Sequence, residues 1–460
     1  MEERLLSVGI DIGTTTTQLV ISRLTVRNEG AAFSVPKFEI AEKEVVFRSR
    51  IHFTPLLSDV RIDADGVRRI VEAEYAASGF SKSDIRTGAV IITGETARKE
   101  NAREVLEALA GFAGDFVVAT AGPALESILA GKGAGAERVS AERRCAVLNL
   151  DIGGGTTNLA LFENGALRDT GCLNVGGRLM KFAPDGALTY LSPVLAPFFP
   201  FRIGQRLSER ELEPVTELLV RVLEQAVGCA PAGEELKHFI TDKTVALTEP
   251  PLLSFSGGVA DLIDDRAREP FAYGDLGVLL GRAIFRSRLC SGSFLRASET
   301  IRATVIGAGS HATTLSGSTI YFSEVDFPLK TLPVAALSAD EETLAAEELA
   351  RHIRRRIETV SPEEHRAALA LHGRRNIRFA ELCKLADGLA QGLADCPEPL
   401  VIAVEEDMGK ALGQAVGTLL AGKRLVCLDG VRLSDGAYLD IGAPVAEGQA
   451  LPVVIKTLIL

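Results

Sequence analysis

The chain contains the same short pattern twice, and this repeat constrains its fold more than any other feature. Each copy has an apolar stretch, an aspartate, a glycine-rich turn with threonines, and a second apolar stretch. The copies run from Asp11 to Thr16 (DIGTTT) and from Asp151 to Thr157 (DIGGGTT). Each copy predicts a β-hairpin whose glycines let backbone N–H groups approach phosphate oxygens, while the threonine hydroxyls add donors. Two such hairpins predict two lobes that hold one nucleotide between them.

A third glycine-rich turn, Gly257-Gly258, follows the apolar residues Leu252 and Leu253. A glycine pair at a strand-to-helix turn lets the backbone lie flat against a ribose or a purine. We expect the aspartates of the two hairpins to face a metal ion instead, because Mg²⁺ keeps several waters and takes only one or two carboxylates. The sequence therefore predicts a site for ATP and Mg²⁺.

The order of these motifs resembles that of the actin, sugar-kinase and heat-shock-chaperone ATPase superfamily over residues 5–290. The resemblance implies an α/β fold with two actin-like lobes, which are duplicated ribonuclease-H-like domains. It also implies two connecting helices that cross the hinge, at Ala121 to Gly131 and at Gly274 to Ile284.

The expected domains follow from that resemblance. Residues 1–145 form the first lobe, with an inserted subdomain at about 23–87, and residues 146–290 form the second lobe, whose last helix returns to the hinge. Residues 291–460 form a C-terminal extension with a small α+β domain.

The resemblance assigns roles to particular residues. Asp11 and Asp151 are expected to hold the metal through its waters and to be catalytic. Gly122 stands where the related chaperones carry a glutamate that orients the attacking water, so the chain departs from the family pattern there. Glu126, one turn further along the first connecting helix, and Glu95, at the end of a predicted strand, are the candidates to replace it. The residues expected to contact the nucleotide are Gly13, Thr14, Thr15, Gly153, Gly154, Gly155, Thr156, Thr157, Gly176, Gly177, Gly257 and Gly258.

Composition indicates a cytoplasmic, multidomain protein. A net charge of −11 argues against nucleic acid as the main partner. The seven cysteines are scattered without a Cys-x-x-Cys pair, which is typical of a reducing compartment. No stretch has the length and apolarity of a membrane span, so we expect no membrane partner.

Longer segments resemble the reactivating factors of ethanolamine ammonia-lyase. They are Gly9 to Gln18, Ile92 to Ala102, Ala121 to Ile128, Arg302 to Ile320 and Leu439 to Leu460. This resemblance implies an ATP-dependent chaperone that releases damaged cobalamin from the enzyme so that intact cofactor can bind. Ethanolamine ammonia-lyase would be the partner, cobalamin would be contacted only through it, and a homo-oligomer is a further expectation that the sequence alone does not decide. It would act in the cytoplasm or in a bacterial microcompartment.

Two other functions remain open from the sequence. An actin-like self-assembling ATPase would need a self-complementary surface, and ATP-dependent sedimentation would reveal it. A small-molecule kinase would need a substrate-binding residue near the phosphate site, and a phosphorylated product would reveal it.

Overall fold

Three large β-sheets form the framework of the protein. The computed structural model describes residues 2–14, 16–28, 38–58, 60–93, 96, 99–102, 104–105, 108–109, 117–120, 123–292, 294–311, 314–316 and 319–457. The predicted site residues Thr15 and Glu95 lie outside the described residues.

The first sheet contains an antiparallel hairpin extended by parallel strands. Its strand order is β3-β2-β1-β7-β8, and β4 pairs with β2. Strands β1, β2 and β3 are antiparallel neighbours, whereas β7 runs parallel to β1 and β8 runs parallel to β7. A small separate ribbon pairs β5 with β6. The strands in this part of the chain are β1 (Glu2–Ile12), β2 (Thr16–Asn28), β3 (Phe38–Arg48), β4 (His52–Phe53), β5 (Leu56–Ser58), β6 (Arg61–Ile62), β7 (Ile85–Ile92) and β8 (Val117–Thr120).

The second sheet repeats the topology of the first. Its order is β11-β10-β9-β14-β15, with an antiparallel β9-β10-β11 hairpin unit and with β14 and β15 parallel to β9. A short ribbon pairs β12 with β13. The strands are β9 (Ala146–Ile152), β10 (Thr157–Glu163), β11 (Ala166–Leu173), β12 (Met180–Phe182), β13 (Leu188–Leu191), β14 (Leu252–Ser256) and β15 (Phe294–Arg296). The shared order confirms the predicted pair of ribonuclease-H-like domains.

Two helices pack together between the sheets. The first linking helix, Pro123–Gly133, packs against β9, β10 and β11, and the second linking helix, Ala303–His311, packs against β1, β2 and β7. They approach closely because one of them carries Gly307, where a Cβ atom would lie only 2.0 Å from the carbonyl oxygen of Leu129. Each linking helix packs on one sheet and against the other helix, so the pair connects the two lobes.

The second linking helix differs from the sequence-based assignment. Gly274 to Ile284 was expected to return to the hinge, but this segment forms the helix Gly277–Phe285 and packs against neighbouring helices of the second lobe. Its apolar residues Leu279, Leu280 and Ile284 join the large core of that lobe, which explains the placement. The second sheet also extends past residue 290, because β15 pairs with β14.

The segment predicted to be an insertion at about 23–87 is part of the first lobe. Strand β3 pairs with β2 in the main sheet, and the helix Ala64–Ser78 packs against β2. Val67, Val71 and Tyr75 follow the helical repeat and are buried in the same core as the strands. This apolar stripe is the reason that the segment cannot stand apart as a subdomain.

The C-terminal part forms one mixed eight-stranded sheet in the order β16-β23-β22-β18-β19-β20-β21-β17. Strands β18 to β21 are parallel with a helix between each consecutive pair, whereas β17 at one edge and β22, β23 and β16 at the other pair antiparallel. The unit therefore combines a parallel βα core with antiparallel edge strands. The strands are β16 (Thr314–Leu315), β17 (Tyr321–Ser323), β18 (Leu329–Ala336), β19 (Ala368–Leu371), β20 (Leu400–Val404), β21 (Leu425–Leu428), β22 (Ala437–Ile441) and β23 (Pro452–Thr457).

The remaining helices complete the cores of the second lobe and the C-terminal unit. Within the second lobe, Glu209–Ala226 starts with a capping box in which Ser208 and Glu211 satisfy each other's backbone N–H groups. The other α-helices in the part of the chain that the structure describes are Ala136–Arg143, Glu234–Phe239, Ala260–Ile263, Ala346–Val360, Phe379–Leu393 and Gly409–Leu419.

Candidate nucleotide site

A cleft of about 620 Å³ lies between the two lobes and is lined by residues from both hairpins. The first lobe contributes Asp11, Gly13 and Thr14 to its wall, and the second contributes Asp151, Gly153, Gly154, Gly155 and Thr156. The glycine-pair turn contributes Gly257 and Gly258. The fold therefore brings together the three motifs that the sequence predicted to meet.

The two hairpin turns close in the same way. The N–H of Gly13 donates to the carbonyl oxygen of Thr16, and the N–H of Gly153 donates to that of Thr156, each at 2.9 Å. Asp11 lies opposite Gln18 across the first hairpin, and Asp151 lies opposite Asn158 across the second. The two halves of the cleft are thus copies of one local structure.

Each aspartate accepts a hydrogen bond from a hydroxyl at the end of the neighbouring parallel strand. Thr93, directly after β7, donates through Oγ1 to Asp11 Oδ1 at 2.9 Å. Ser256, the last residue of β14, donates through Oγ to Asp151 Oδ1 at 2.6 Å. Thr304, on the second linking helix, places Oγ1 3.5 Å from Asp151 Oδ2. These contacts fix the orientation of both carboxyl groups.

Both carboxyl groups are buried and hold their protons more tightly than usual. Burial raises the pKa of Asp11 to about 7, and the charge of Asp151 adds to the rise while the Thr93 hydrogen bond opposes it. Burial also raises the pKa of Asp151 to about 6, against the hydrogen bonds from Ser256 and Thr304. Removal from water penalises the charged form of a carboxyl group, which is the cause of both shifts. A cation bound near the pair would reverse this penalty.

The turn at Gly176 and Gly177 packs directly on the second hairpin. A Cβ atom at Gly176 would lie 2.3 Å from the carbonyl oxygen of Gly154, so only glycine fits there. The N–H of Gly177 donates to the carbonyl oxygen of Gly153 at 3.0 Å. Gly177 lines the cleft, whereas Gly176 supports the hairpin from behind.

Two other predicted residues have contrasting positions. Glu126, on the first linking helix, lines the cleft. Thr157 is fully buried, and its hydroxyl donates to the carbonyl oxygen of Val175 at 2.7 Å instead of facing the cleft. Thr157 is the first residue of β10, where side chains alternate between the two faces of the sheet, and its side chain points to the buried face.

Several residues of the site were not singled out from the sequence. Thr93 and Ser256 orient the aspartates, and Arg178 and Asp275 form an ion pair in the cleft wall, with 3.2 Å between Nε and Oδ2. Polar residues at the carboxyl ends of parallel strands are a signal that could have identified Thr93 and Ser256.

Two further features are absent from the part of the chain that the structure describes. Among the described residues, no three His, Cys, Asp or Glu side chains are grouped so that they could hold a metal ion by themselves. None of the described helices is both long enough and apolar enough to cross a membrane.

Two ribonuclease-H-like domains that face each other across a cleft define an actin-like fold. The sequence matches the family described as "Ethanolamine utilisation protein EutA" over residues 3–460, and the chain belongs to this family.

Two similar curated relatives are both named "Ethanolamine ammonia-lyase reactivase EutA". The relative from Salmonella typhimurium is 37% identical over 467 residues, which is 99% of this chain and 98% of the relative. The relative from Escherichia coli is 38% identical with the same coverage. Among solved structures, the ethanolamine utilization protein EutJ from Carboxydothermus hydrogenoformans aligns at 18% identity with a TM-score of 0.37, over 66% of this chain and 89% of that one. The strand order, and not this structural alignment, defines the fold.

Proposed function

We propose that the protein is an ATP-dependent reactivase of ethanolamine ammonia-lyase, which binds Mg·ATP between its lobes and hydrolyses it slowly. The observation that carries the nucleotide site is the pairing of Asp11 and Asp151, buried in one cleft at equivalent positions of two matched hairpins. The proposed client comes from the family, because the similar relatives are named as reactivases of that enzyme.

The residues of the cleft fit a magnesium–nucleotide complex. The cleft volume of about 620 Å³ lies within the range of small-ligand sites. Gln18 lines the cleft, and its buried Oε1 atom has no hydrogen-bond partner among the described residues. An unpartnered buried acceptor in a cleft that is also lined by two buried carboxyls suits the waters around a magnesium ion, which donate hydrogen bonds. We therefore propose that Asp11, Asp151 and Gln18 hold Mg²⁺ through its water shell.

The glycine turns are the proposed phosphate cradle. Gly13, Thr14 and Thr15 from the first hairpin and Gly153, Gly154, Gly155 and Thr156 from the second would donate N–H and O–H groups to the β- and γ-phosphates. Gly257 and Gly258 would border the adenosine, and Glu126 would orient the attacking water. Bound Mg²⁺ would neutralise phosphate charge, and the protein would contribute mainly positioning and electrostatic stabilisation.

Nucleotide contacts with both lobes would favour a closed arrangement of the lobes. A ligand shifts such an equilibrium only by its differential affinity for the two states. A shift from 1:99 to 99:1 requires about 5.5 kcal/mol. We propose that this closure changes the surface that engages the client, so that damaged cobalamin leaves and intact cofactor enters. The proposed place of action is the cytoplasm, or a bacterial microcompartment that contains the client.

Two measurements test the proposal at separate levels. Calorimetry should detect ATP binding that strengthens when Mg²⁺ is present, and the absence of binding would contradict the nucleotide site. Immobilised protein should retain purified ethanolamine ammonia-lyase in an amount that changes when ATP is added. The Asp151→Ala variant should retain the same amount of the enzyme with and without ATP. Exposed Asp242→Ala is the matched control, because this acid also belongs to the second lobe but lies outside the cleft.

A further inference from the structure

We propose that Arg178 binds the terminal phosphates of the nucleotide and that Asp275 positions its guanidinium group, an inference that rests on the nucleotide function proposed above. Arg178 is the one basic side chain among the described residues that line the cleft. The acidic residues of the lining are Asp11, Glu126, Asp151, Asp261 and Asp275. A triphosphate brings several more negative charges, so a fixed cation beside the phosphates would offset repulsion that a metal alone leaves.

The backbone holds Arg178 directly beside the second hairpin turn. Its N–H donates to the carbonyl oxygen of Gly154 at 2.6 Å, one residue after the bond from Gly177 to Gly153. Gly153 and Gly154 belong to the proposed phosphate cradle. The Arg178 side chain therefore begins within one hydrogen bond of the place where the phosphates are proposed to lie.

The side chain is held in place by Asp275. Arg178 is 23% exposed and Asp275 is 10% exposed, and Nε of the arginine donates to Oδ2 at 3.2 Å. The other carboxyl oxygen, Oδ1, accepts the N–H of Gly277 at 2.8 Å, where the helix Gly277–Phe285 begins. Leu276 adds a backbone bond of 2.7 Å to the carbonyl oxygen of Gly177. These bonds connect the start of the helix to the turn that carries Arg178.

The guanidinium group retains donors for a ligand. It carries five N–H groups in a planar fork, and among the described residues Asp275 alone pairs with this side chain, through Nε. Paired N–H bonds from one arginine to phosphate oxygens are strong and directional. If the ion pair between Arg178 and Asp275 had a purely structural role, its loss would instead weaken the affinity of the cleft for all ligands alike, whether or not they carry phosphate.

The test compares a ligand with phosphates and a ligand without them. The affinities of ATP and of adenosine are measured by equilibrium dialysis for the parental protein, Arg178→Gln and Arg178→Lys. The control is Arg168→Gln, because Arg168 is exposed on the same lobe and pairs with Glu163. Melting temperatures show whether each variant is folded.

The ATP affinity of Arg178→Gln should fall about tenfold or more, the expected effect of losing a hydrogen bond between charged groups. Its adenosine affinity should stay within about twofold of the parental value. Arg178→Lys keeps the positive charge but not the planar fork of donors, so its ATP affinity should lie between those of the parental protein and Arg178→Gln. If the glutamine variant does not fold, the lysine variant still carries the test, since it should lose ATP affinity but not adenosine affinity.

Equal weakening of ATP and adenosine binding would overturn the proposal, and so would an unchanged ATP affinity in Arg178→Gln. Either result, with normal ATP binding by the parental protein, would leave the nucleotide site intact and reject only the role of Arg178. If the parental protein bound no ATP, the nucleotide function and the role of Arg178 would both be rejected.

Discussion

Asp11 and Asp151 are structural equivalents that share one cleft, each one residue before the end of its strand, in β1 and β9 respectively. Each carboxyl group accepts a hydrogen bond from a hydroxyl at the end of the adjacent parallel strand, which is Thr93 for Asp11 and Ser256 for Asp151. The duplicated fold thus places two buried acids where their charges interact. Such a pair destabilises the ligand-free protein when it ionises and suits a bound cation.

The ligand-free protein should become more stable at neutral and higher pH after Asp11→Asn. Burial raises the folded-state pKa of Asp11 to about 7, above its value in the unfolded chain, so the folded state holds the proton more tightly. The carboxyl group therefore costs little stability below about pH 4, and its cost grows until the pH passes about 7. Asparagine removes that cost, on the order of a few kcal/mol at pH 8, and still accepts the Thr93 hydrogen bond.

Urea unfolding of the parental protein and of Asp11→Asn between pH 4 and pH 8 measures this difference. The stability gained by the variant should increase with pH. Asp242→Asn, at an exposed position, is the control and should show no such trend. A variant that is less stable than the parental protein at pH 8 would show that ionisation of Asp11 does not destabilise the folded protein.

Hydrolysis of ATP should fall by about 10²-fold or more in Asp11→Ala and in Asp151→Ala. Each change removes one preorganised electrostatic contact in the proposed metal site, and losses of this kind have that magnitude. Steady-state release of phosphate with Mg²⁺ present measures the effect. Hydrolysis at the parental rate in both variants would show that the site is misassigned.

Gly176→Ala should weaken ATP binding without unfolding the protein. The added Cβ atom would lie 2.3 Å from the carbonyl oxygen of Gly154, so the second hairpin turn must shift. We expect a loss of about tenfold in affinity, or about 1.4 kcal/mol, by calorimetry. Gly292→Ala is the matched control, because a Cβ atom at this position meets no atom of the described residues within 4 Å. Parental affinity in Gly176→Ala would indicate that this turn does not support the phosphate cradle.

Gly307→Ala should destabilise the packing of the two linking helices. Its Cβ atom would lie 2.0 Å from the carbonyl oxygen of Leu129, and the helices would have to separate. Overpacking of this kind costs about 1–3 kcal/mol, which urea unfolding can measure. Because the second linking helix also carries Thr304 beside Asp151, ATP affinity should fall as well. Unchanged stability would show that the helices do not pack through this glycine.

The hairpins and the site around them could be predicted because their signals are local. Asp11 and Asp151 each stand in a short pattern of strand, glycine turn and strand, and the structure forms both hairpins there. The partners of these acids were missed because Thr93 and Ser256 lie far away in the sequence and become neighbours only when parallel strands pair. The inward side chain of Thr157 depends on strand alternation, which a turn motif alone does not fix.

The second linking helix could not be predicted for a related reason. Both Gly277–Phe285 and Ala303–His311 are short and apolar, and the sequence pattern does not say which one reaches the other lobe. The choice depends on a close backbone contact between Gly307 and Leu129, which exists only in the tertiary structure. The C-terminal extension was likewise predicted only as a small α+β domain, because the order of its eight strands depends on pairing between segments that are distant in the sequence.

The most direct test of the account is reactivation of a damaged client. Ethanolamine ammonia-lyase inactivated by turnover or by cyanocobalamin is incubated with the protein, ATP, Mg²⁺ and adenosylcobalamin, and deamination of ethanolamine is then assayed. We expect activity to return in the complete mixture and to remain low without ATP or with Asp151→Ala. Equal recovery without ATP, or no recovery in the complete mixture with a client from the same organism, would contradict the account.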